Sequence, residues 1–130
     1  MKYFRTAALT ATLLSASWVG ASELVVEGFN SKASADDWQK LCTQQLSKAR
    51  EHFATLEQGT GPANVETVLQ QYEQVNYALQ PLMPAAYIKA VHPDKAVRDS
   101  AEACIQNIAD FNSSIYLSQP FYQRLSAIDD

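Results

Sequence analysis

Two cysteines, Cys42 and Cys104, carry the most distinctive chemistry in this 130-residue sequence. Each falls on the apolar stripe of a predicted helix, so both side chains should face one core. Their spacing does not match the Cys-x-x-Cys pattern of redox-active pairs, which indicates a structural role. We predict a disulfide between them if the chain enters an oxidising compartment. The alternative is a pair of buried free thiols that pack as small hydrophobic side chains.

The two histidines, His52 and His92, do not form a His-Glu-x-x-His pattern, which places two zinc ligands on one helical face. A zinc site built from this pair would need two further ligands, and the sequence nominates none. No serine lies in a Gly-x-Ser-x-Gly turn, and Met83 and His92 lie beside helix-breaking prolines, a poor setting for haem ligands. We therefore predict no catalytic residue, no metal ligand and no cofactor within this chain.

A His92-Pro93-Asp94 tripeptide lies between two predicted helices, and Arg98 follows one helical turn later. The structural interpretation is that Pro93 prevents the preceding helix from continuing, while Asp94 caps the following helix. The tripeptide also resembles the His-Pro-Asp motif that J-domain co-chaperones carry between two helices. That resemblance implies a partner ATPase and is kept as an alternative.

The elements that position these residues are predicted to be helices. Ser34, with Asp37 three residues later, resembles a capping box at the start of a helix. Three segments then carry apolar residues at alternating spacings of three and four, the pattern of an amphipathic helix. They are Trp38, Cys42, Leu46, Ala49, Phe53 and Leu56; Val65, Val68, Tyr72, Val75, Leu79 and Leu82; and Val97, Ala101, Cys104, Ile108, Phe111 and Ile115.

Turn residues divide the chain between these segments. Residues 59–62 (GTGP) end the first helix, and Asn64 is a good cap for the second. Pro81 and Pro84 should kink or break the second helix before a short helix over residues 85–91. A last short helix is predicted over residues 121–128. Short connections favour antiparallel neighbours, so we predict an all-α fold over residues 34–130: an antiparallel helical bundle of three long and about two short helices.

The N-terminus is typical of a secretory signal peptide. Lys2 and Arg5 precede an uncharged stretch, and Val19 and Ala21 are the small residues that signal peptidase accepts. The stretch is short for a membrane-spanning anchor, which is the alternative. We predict a signal peptide over residues 1–21, an extended lead-in over residues 22–33, and a periplasmic or secreted location.

The charge of the chain bears on its partners. After removal of residues 1–21, eight Lys and Arg would face fourteen Asp and Glu, a net charge of −6. An acidic chain without a basic cluster is a poor candidate for binding nucleic acid, which needs grouped positive charges. No further apolar segment is long enough to cross a bilayer, so no membrane association is expected after cleavage.

A longer stretch, VHPDKAVRDSAEAC from Val91 to Cys104, resembles the N-terminal lobe of the M3 family of zinc oligopeptidases, the thimet oligopeptidase and oligopeptidase A group. The likeness continues through residues 111–115 and 122–125. Upstream, residues 61–69 are similar to the family's entry into its second helix. The resemblance covers roughly residues 34–130.

The resemblance implies the N-terminal helical channel-wall region of a periplasmic zinc metallopeptidase that hydrolyses short peptides. The family's zinc-binding His-Glu-x-x-His segment lies beyond the region that this chain resembles. The implied partner is therefore the catalytic lobe of the parent enzyme, which would hold the zinc. The alternative is a stand-alone small periplasmic helical protein that acts as a binding or adaptor module.

Overall fold

The computed structural model describes residues 32–59 and 61–128, and these residues are helical without any strand. The elements are α1 (Ala35–Glu57), α2 (Val65–Leu79), a 3-10 turn (Gln80–Leu82), α3 (Ala85–Val91), α4 (Lys95–Tyr116) and α5 (Gln119–Ser126). The predicted all-α class is confirmed for this part of the chain, with three long and two short α-helices. The predicted signal peptide, most of the predicted lead-in and the last two residues lie outside the described residues.

Side-chain caps explain where the long helices begin. At the start of α1, the Ser34 hydroxyl accepts a hydrogen bond from the Asp37 backbone N–H, and the Asp37 carboxylate accepts one from the Ser34 backbone N–H at 3.0 Å. Asn64 Oδ1 accepts from the Thr67 N–H at 2.8 Å at the start of α2. Each cap satisfies backbone donors that have no partner within the helix. The capping box predicted at Ser34 is confirmed.

The capping box makes the start of α1 sensitive to acid. Hydrogen bonds from the Ser34 hydroxyl and backbone N–H, with help from nearby Lys40, lower the pKa of Asp37 below its ordinary 3.8. A lowered pKa means that the stabilising contribution is present above the ordinary value and is lost as the pH falls through the lowered one. We expect Ser34→Ala to raise the pKa of Asp37, measured by NMR titration of its carboxyl carbon. Thr43→Ala, further along α1, is the control, and an unchanged Asp37 midpoint in Ser34→Ala would contradict the assignment.

The two prolines after α2 bend the helical path without opening a long loop. Pro81 lies within the 3-10 turn, and Pro84 immediately precedes α3. Proline cannot donate the backbone hydrogen bond that an α-helix interior needs, so the path tightens into a 3-10 turn and restarts. The predicted interruption is confirmed, and α3 has the predicted bounds.

Helix α1 is the centre of the fold. It packs against α2 on one side and α4 on another, whereas α2 and α4 make at most marginal contact with each other. The disulfide between Cys42 and Cys104 and the edge-to-face contact between Phe53 and Phe111 follow the same order along both helices, so α1 and α4 run parallel. The short connection after α1 makes α2 antiparallel to it.

The buried residues form two clusters. The larger one joins α1, α2 and α4 and includes Leu46, Phe53, Val75 and Phe111. The smaller one joins the start of α1 to α3 and α4: Trp38, Ala85, Ile88, Val97 and Ala101. All six inward residues predicted for α1 are buried, as are five of the six predicted for α4.

The predicted inward stripe of α2 was partly wrong. Val65 is 56% exposed, whereas Ala78, which was left out of the stripe, is buried. The face of α2 that meets α1 is centred on Val68, Val75 and Ala78, so Val65 lies to one side of it. Exposed apolar side chains, Val65 and Leu69, therefore lie on α2 beyond the part that the core covers.

Helix α5 covers the end of the core where α1 finishes. The Phe121 ring packs edge-on against Phe53 at 5.5 Å and stacks on Tyr72 at 5.9 Å. Arg124 donates a hydrogen bond to the Gly61 carbonyl at 2.8 Å, which ties α5 to the turn before α2. The helix begins and ends two residues earlier than predicted, at Gln119 and Ser126, and the Ser118 hydroxyl caps its start.

Candidate docking groove

The structure joins Cys42 and Cys104 in a disulfide, with Cα atoms 5.8 Å apart. Both residues are buried, and the bond links the first half of α1 to the middle of α4. Polar side chains such as Gln39, Thr43 and Asn107 line a shallow depression beside it. Burial restricts access of an attacking thiolate to the bond, so this pair acts as a structural link.

His92, Pro93, Asp94 and Arg98 come together at the corner between α3 and α4. One carboxylate oxygen of Asp94 accepts a hydrogen bond from the Ala96 backbone N–H at 2.8 Å, which caps α4. Arg98 Nη1 donates to the carbonyl oxygens of His92 at 2.6 Å and Pro93 at 2.9 Å. The four residues thus hold the corner, and the chemistry visible there is that of capping.

The two histidines lie in different parts of the fold. His52 is exposed on α1, whereas His92 is at the α3–α4 corner. Among residues 32–59 and 61–128, no three His, Cys, Asp or Glu side chains form a group that could hold a metal ion. No helix in the described ranges has the length and apolarity needed to span a membrane.

A groove of about 690 Å³ lies between α2 and α4. It exists because both helices pack on α1 but barely touch each other. One wall is formed by α2 and the turn after it, with Tyr72, Asn76, Leu79, Gln80, Leu82 and Met83. The other wall is formed by α4, with Ile105, Ile108, Asn112 and Tyr116, and Ala85 and Ala86 of α3 lie at one end.

None of the twelve residues that line this groove is charged. Its only fully polar side chains are the amides of Asn76, Gln80 and Asn112. Met83 is 76% exposed and Tyr116 is 84% exposed, so large apolar surface faces solvent at this place. Contiguous exposed apolar surface of this kind marks interaction sites on soluble proteins. We name this surface the α2–α4 groove.

The two edges of the α2–α4 groove differ in charge. Glu73 and Gln80, seven residues apart, lie in one row along the outer edge of α2 beside the groove, and Glu66 continues this row about 9 Å beyond the Tyr72 end. Helix α2 contains no Lys or Arg, so this edge is acidic. On α4, the corresponding carboxylate, Glu102, is paired with Lys89 at 2.9 Å. One edge is thus negative, and the other is close to neutral.

The sequence prediction did not identify this groove, although a signal for it is present. Besides its buried residues, α2 carries Val65, Leu69 and Tyr72, and Met83 follows in the same row. Two adjacent apolar stripes are more than one neighbouring helix can cover. The pattern could therefore have indicated a second contact surface on α2.

Comparison of the chain with protein-family models, with curated proteins and with solved structures finds no match. The functional inference therefore starts from the groove.

Proposed function

We propose that this chain is a helical channel-wall region of an exported M3-type zinc oligopeptidase. In this proposal it docks through the α2–α4 groove onto the catalytic lobe of that enzyme and supplies no bond-breaking group. The observation that carries the proposal is the uncharged, solvent-facing groove, which is suited to contact with another polypeptide. The resemblance of residues 91–104 to the family's N-terminal lobe supports the choice of partner.

Docking would fill the space that separates α2 from α4. Because α2 and α4 are each anchored on α1 but not on each other, an apolar element placed between them would contact both walls at once. Covering an exposed side chain such as Met83 or Tyr116 stabilises a complex by about 25 cal/mol for each Å² of apolar surface removed from water. The wall would then restrict the channel to short, unfolded peptides, while the catalytic lobe would hold the zinc.

The proposal can be tested by complementation in trans. The chain without residues 1–21 is mixed with an M3 oligopeptidase from which the corresponding N-terminal region has been deleted, and cleavage of a fluorogenic short peptide is measured. We expect the mixture to hydrolyse the peptide at least tenfold faster than the deleted enzyme alone, because the channel is rebuilt. Zinc-dependent hydrolysis by this chain alone, or the absence of any complex, would contradict the proposal.

The stand-alone adaptor is the second candidate. It is favoured by the two buried clusters, which give the described residues their own core, by the disulfide, and by the side-chain caps of α1, α2, α4 and α5. A chain that unfolds cooperatively as a stable monomer and does not bind a hydrophobic dye would support this candidate over a region that needs its parent enzyme.

The J-domain-like alternative makes a separate prediction. Stimulation of a partner ATPase would have to depend on the Asp94 carboxylate, which in this fold accepts the Ala96 N–H. Equal ATPase rates with the original chain and with Asp94→Asn would remove this alternative. Asparagine is the suitable substitution because it can still cap α4.

A further inference from the structure

The geometry points to one occupant of the α2–α4 groove: a single amphipathic α-helix of about three turns, with Lys or Arg along the flank that faces α2. This inference rests on the proposed function, in which the groove is the docking surface, and it specifies the element of the partner that binds. It is carried by the length of the walls, the chemistry of the lining and the charge of the edges.

The length follows from the two walls. The lining residues run from Tyr72 to Met83 on one side and from Ile105 to Tyr116 on the other, and each range spans eleven residue steps. At 1.5 Å per residue a helical wall of this extent is about 17 Å long. Helix α3 packs against α4 beyond Ala86 and limits the groove at that end. A helix of about twelve residues matches this length.

The lining favours a helix over an extended segment. Both walls are helical along most of their length, so their backbone N–H and C=O groups are largely used within the helices and offer no edge for an added strand. An extended peptide would bring unpaired backbone groups against Leu79, Ile105 and Ile108, which is costly in an apolar setting. A helix enters with its own backbone groups already paired, and its apolar side chains can pack between those of the walls.

The charges at the two edges of the groove determine which flank of the bound helix should carry basic residues. Glu73 gives the α2 edge a carboxylate beside the groove, and Glu66 places a second one about 9 Å beyond the Tyr72 end, whereas Lys89 already pairs with Glu102 on the α4 side. Basic residues on the flank beside α2 should therefore increase the affinity of a partner helix, whereas basic residues beside α4 should not. Complementary charges at the rim of an interface mainly select the partner and its orientation.

The test uses two synthetic twelve-residue peptides, each stapled on its outer face to hold the helix. Both carry the same Leu stripe; one has three Lys along the flank that would face α2, and the other has three Glu there. We expect the Lys peptide to bind the chain about tenfold more tightly at low salt, measured by fluorescence anisotropy, because exposed ion pairs contribute about 0.2–1 kcal/mol each. Equal affinities would overturn the assignment of the flank.

Matched variants separate the groove from the rest of the surface. The double variant Glu66→Lys/Glu73→Lys should reverse the preference between the two peptides. Glu51→Lys/Asp110→Lys makes the same change in net charge away from the groove and should preserve the preference. Reversal in both double variants would show a nonspecific effect of net charge and would overturn the inference.

Two further variants test the apolar lining. Met83→Asp and Tyr116→Asp place a charge in the groove at positions that are largely exposed, so the fold should tolerate them. Each should weaken binding of the Lys peptide at least tenfold, whereas Tyr122→Asp on α5 should leave it unchanged. Unchanged binding in both groove variants would show that the peptide lies elsewhere and would overturn the inference.

Sedimentation and trans-complementation distinguish this inference from the broader proposal. A concentration-dependent dimer that Met83→Asp abolishes would show that a second copy fills the groove, which contradicts a helix from the catalytic lobe. If the Met83→Asp and Tyr116→Asp variants still restore peptide hydrolysis, the proposed function holds but the groove is not the contact with the catalytic lobe. If the Lys peptide binds as described but the chain does not restore hydrolysis, the groove binds a helix and the parent enzyme is not an M3 oligopeptidase.

Discussion

Trp38→Ala is expected to lower the free energy of unfolding by about 3–5 kcal/mol, the range for removing a large aromatic side chain from a packed core. Trp38 is only 2% exposed and lies in the smaller cluster with Ala85, Ile88 and Val97. That cluster connects α1 to α3, and α3 has only seven residues of its own. The loss is measured by urea unfolding monitored by circular dichroism.

The same substitution should have a local signature. Helix α3 is too short to be stable alone, so it depends on the contacts that the Trp38 ring provides. We expect backbone amides of α3 to exchange with solvent faster in Trp38→Ala than those at the centre of α2. Tyr122→Ala, which removes a ring that is 69% exposed, should change stability by no more than about 0.5 kcal/mol. A similar small cost for both substitutions would contradict the role given to Trp38.

Removal of the disulfide through Cys42→Ala/Cys104→Ala should cost about 4 kcal/mol of unfolding free energy. The bond joins residues 62 positions apart, and a crosslink of this span reduces the conformational entropy of the unfolded chain by about that amount. The alanines remove little apolar volume, so most of the change arises in the unfolded state. Urea unfolding of both proteins without reductant measures the difference.

Reductant provides the control for this prediction. It should destabilise the original chain by about the same amount and leave the double-alanine variant unchanged. The disulfide ties α1 to α4, which forms one wall of the α2–α4 groove, so reduction should also weaken binding of the Lys peptide. A double variant as stable as the original chain would show that the bond does not restrict the unfolded ensemble.

Stability also matters for the proposed docking. Folded domains are stable by only about 5–15 kcal/mol, so either substitution removes a large share of the total. Neither Trp38 nor the disulfide lines the α2–α4 groove. Loss of binding in these variants therefore has to be compared with loss of folding, which is why the groove tests use the exposed residues Met83 and Tyr116.

Local features of this protein were predictable from sequence because their causes are local. The capping box at Ser34 depends on residues three positions apart, and the interruption at Pro81 depends on a missing backbone N–H. The apolar stripe of α1 was predicted completely because α1 is the central helix and neighbours cover its whole apolar face. The helical class and most helix bounds follow from these signals.

Tertiary packing decided the features that the periodicity left open. An amphipathic pattern shows that a helix has an apolar face, but it does not show how much of that face a neighbour covers. Val65 is therefore exposed although its spacing suits a core, and α2 and α4 each pack on α1 but make at most marginal contact with each other. The α2–α4 groove arises from this separation, which depends on how three helices meet around α1 and which no single segment encodes.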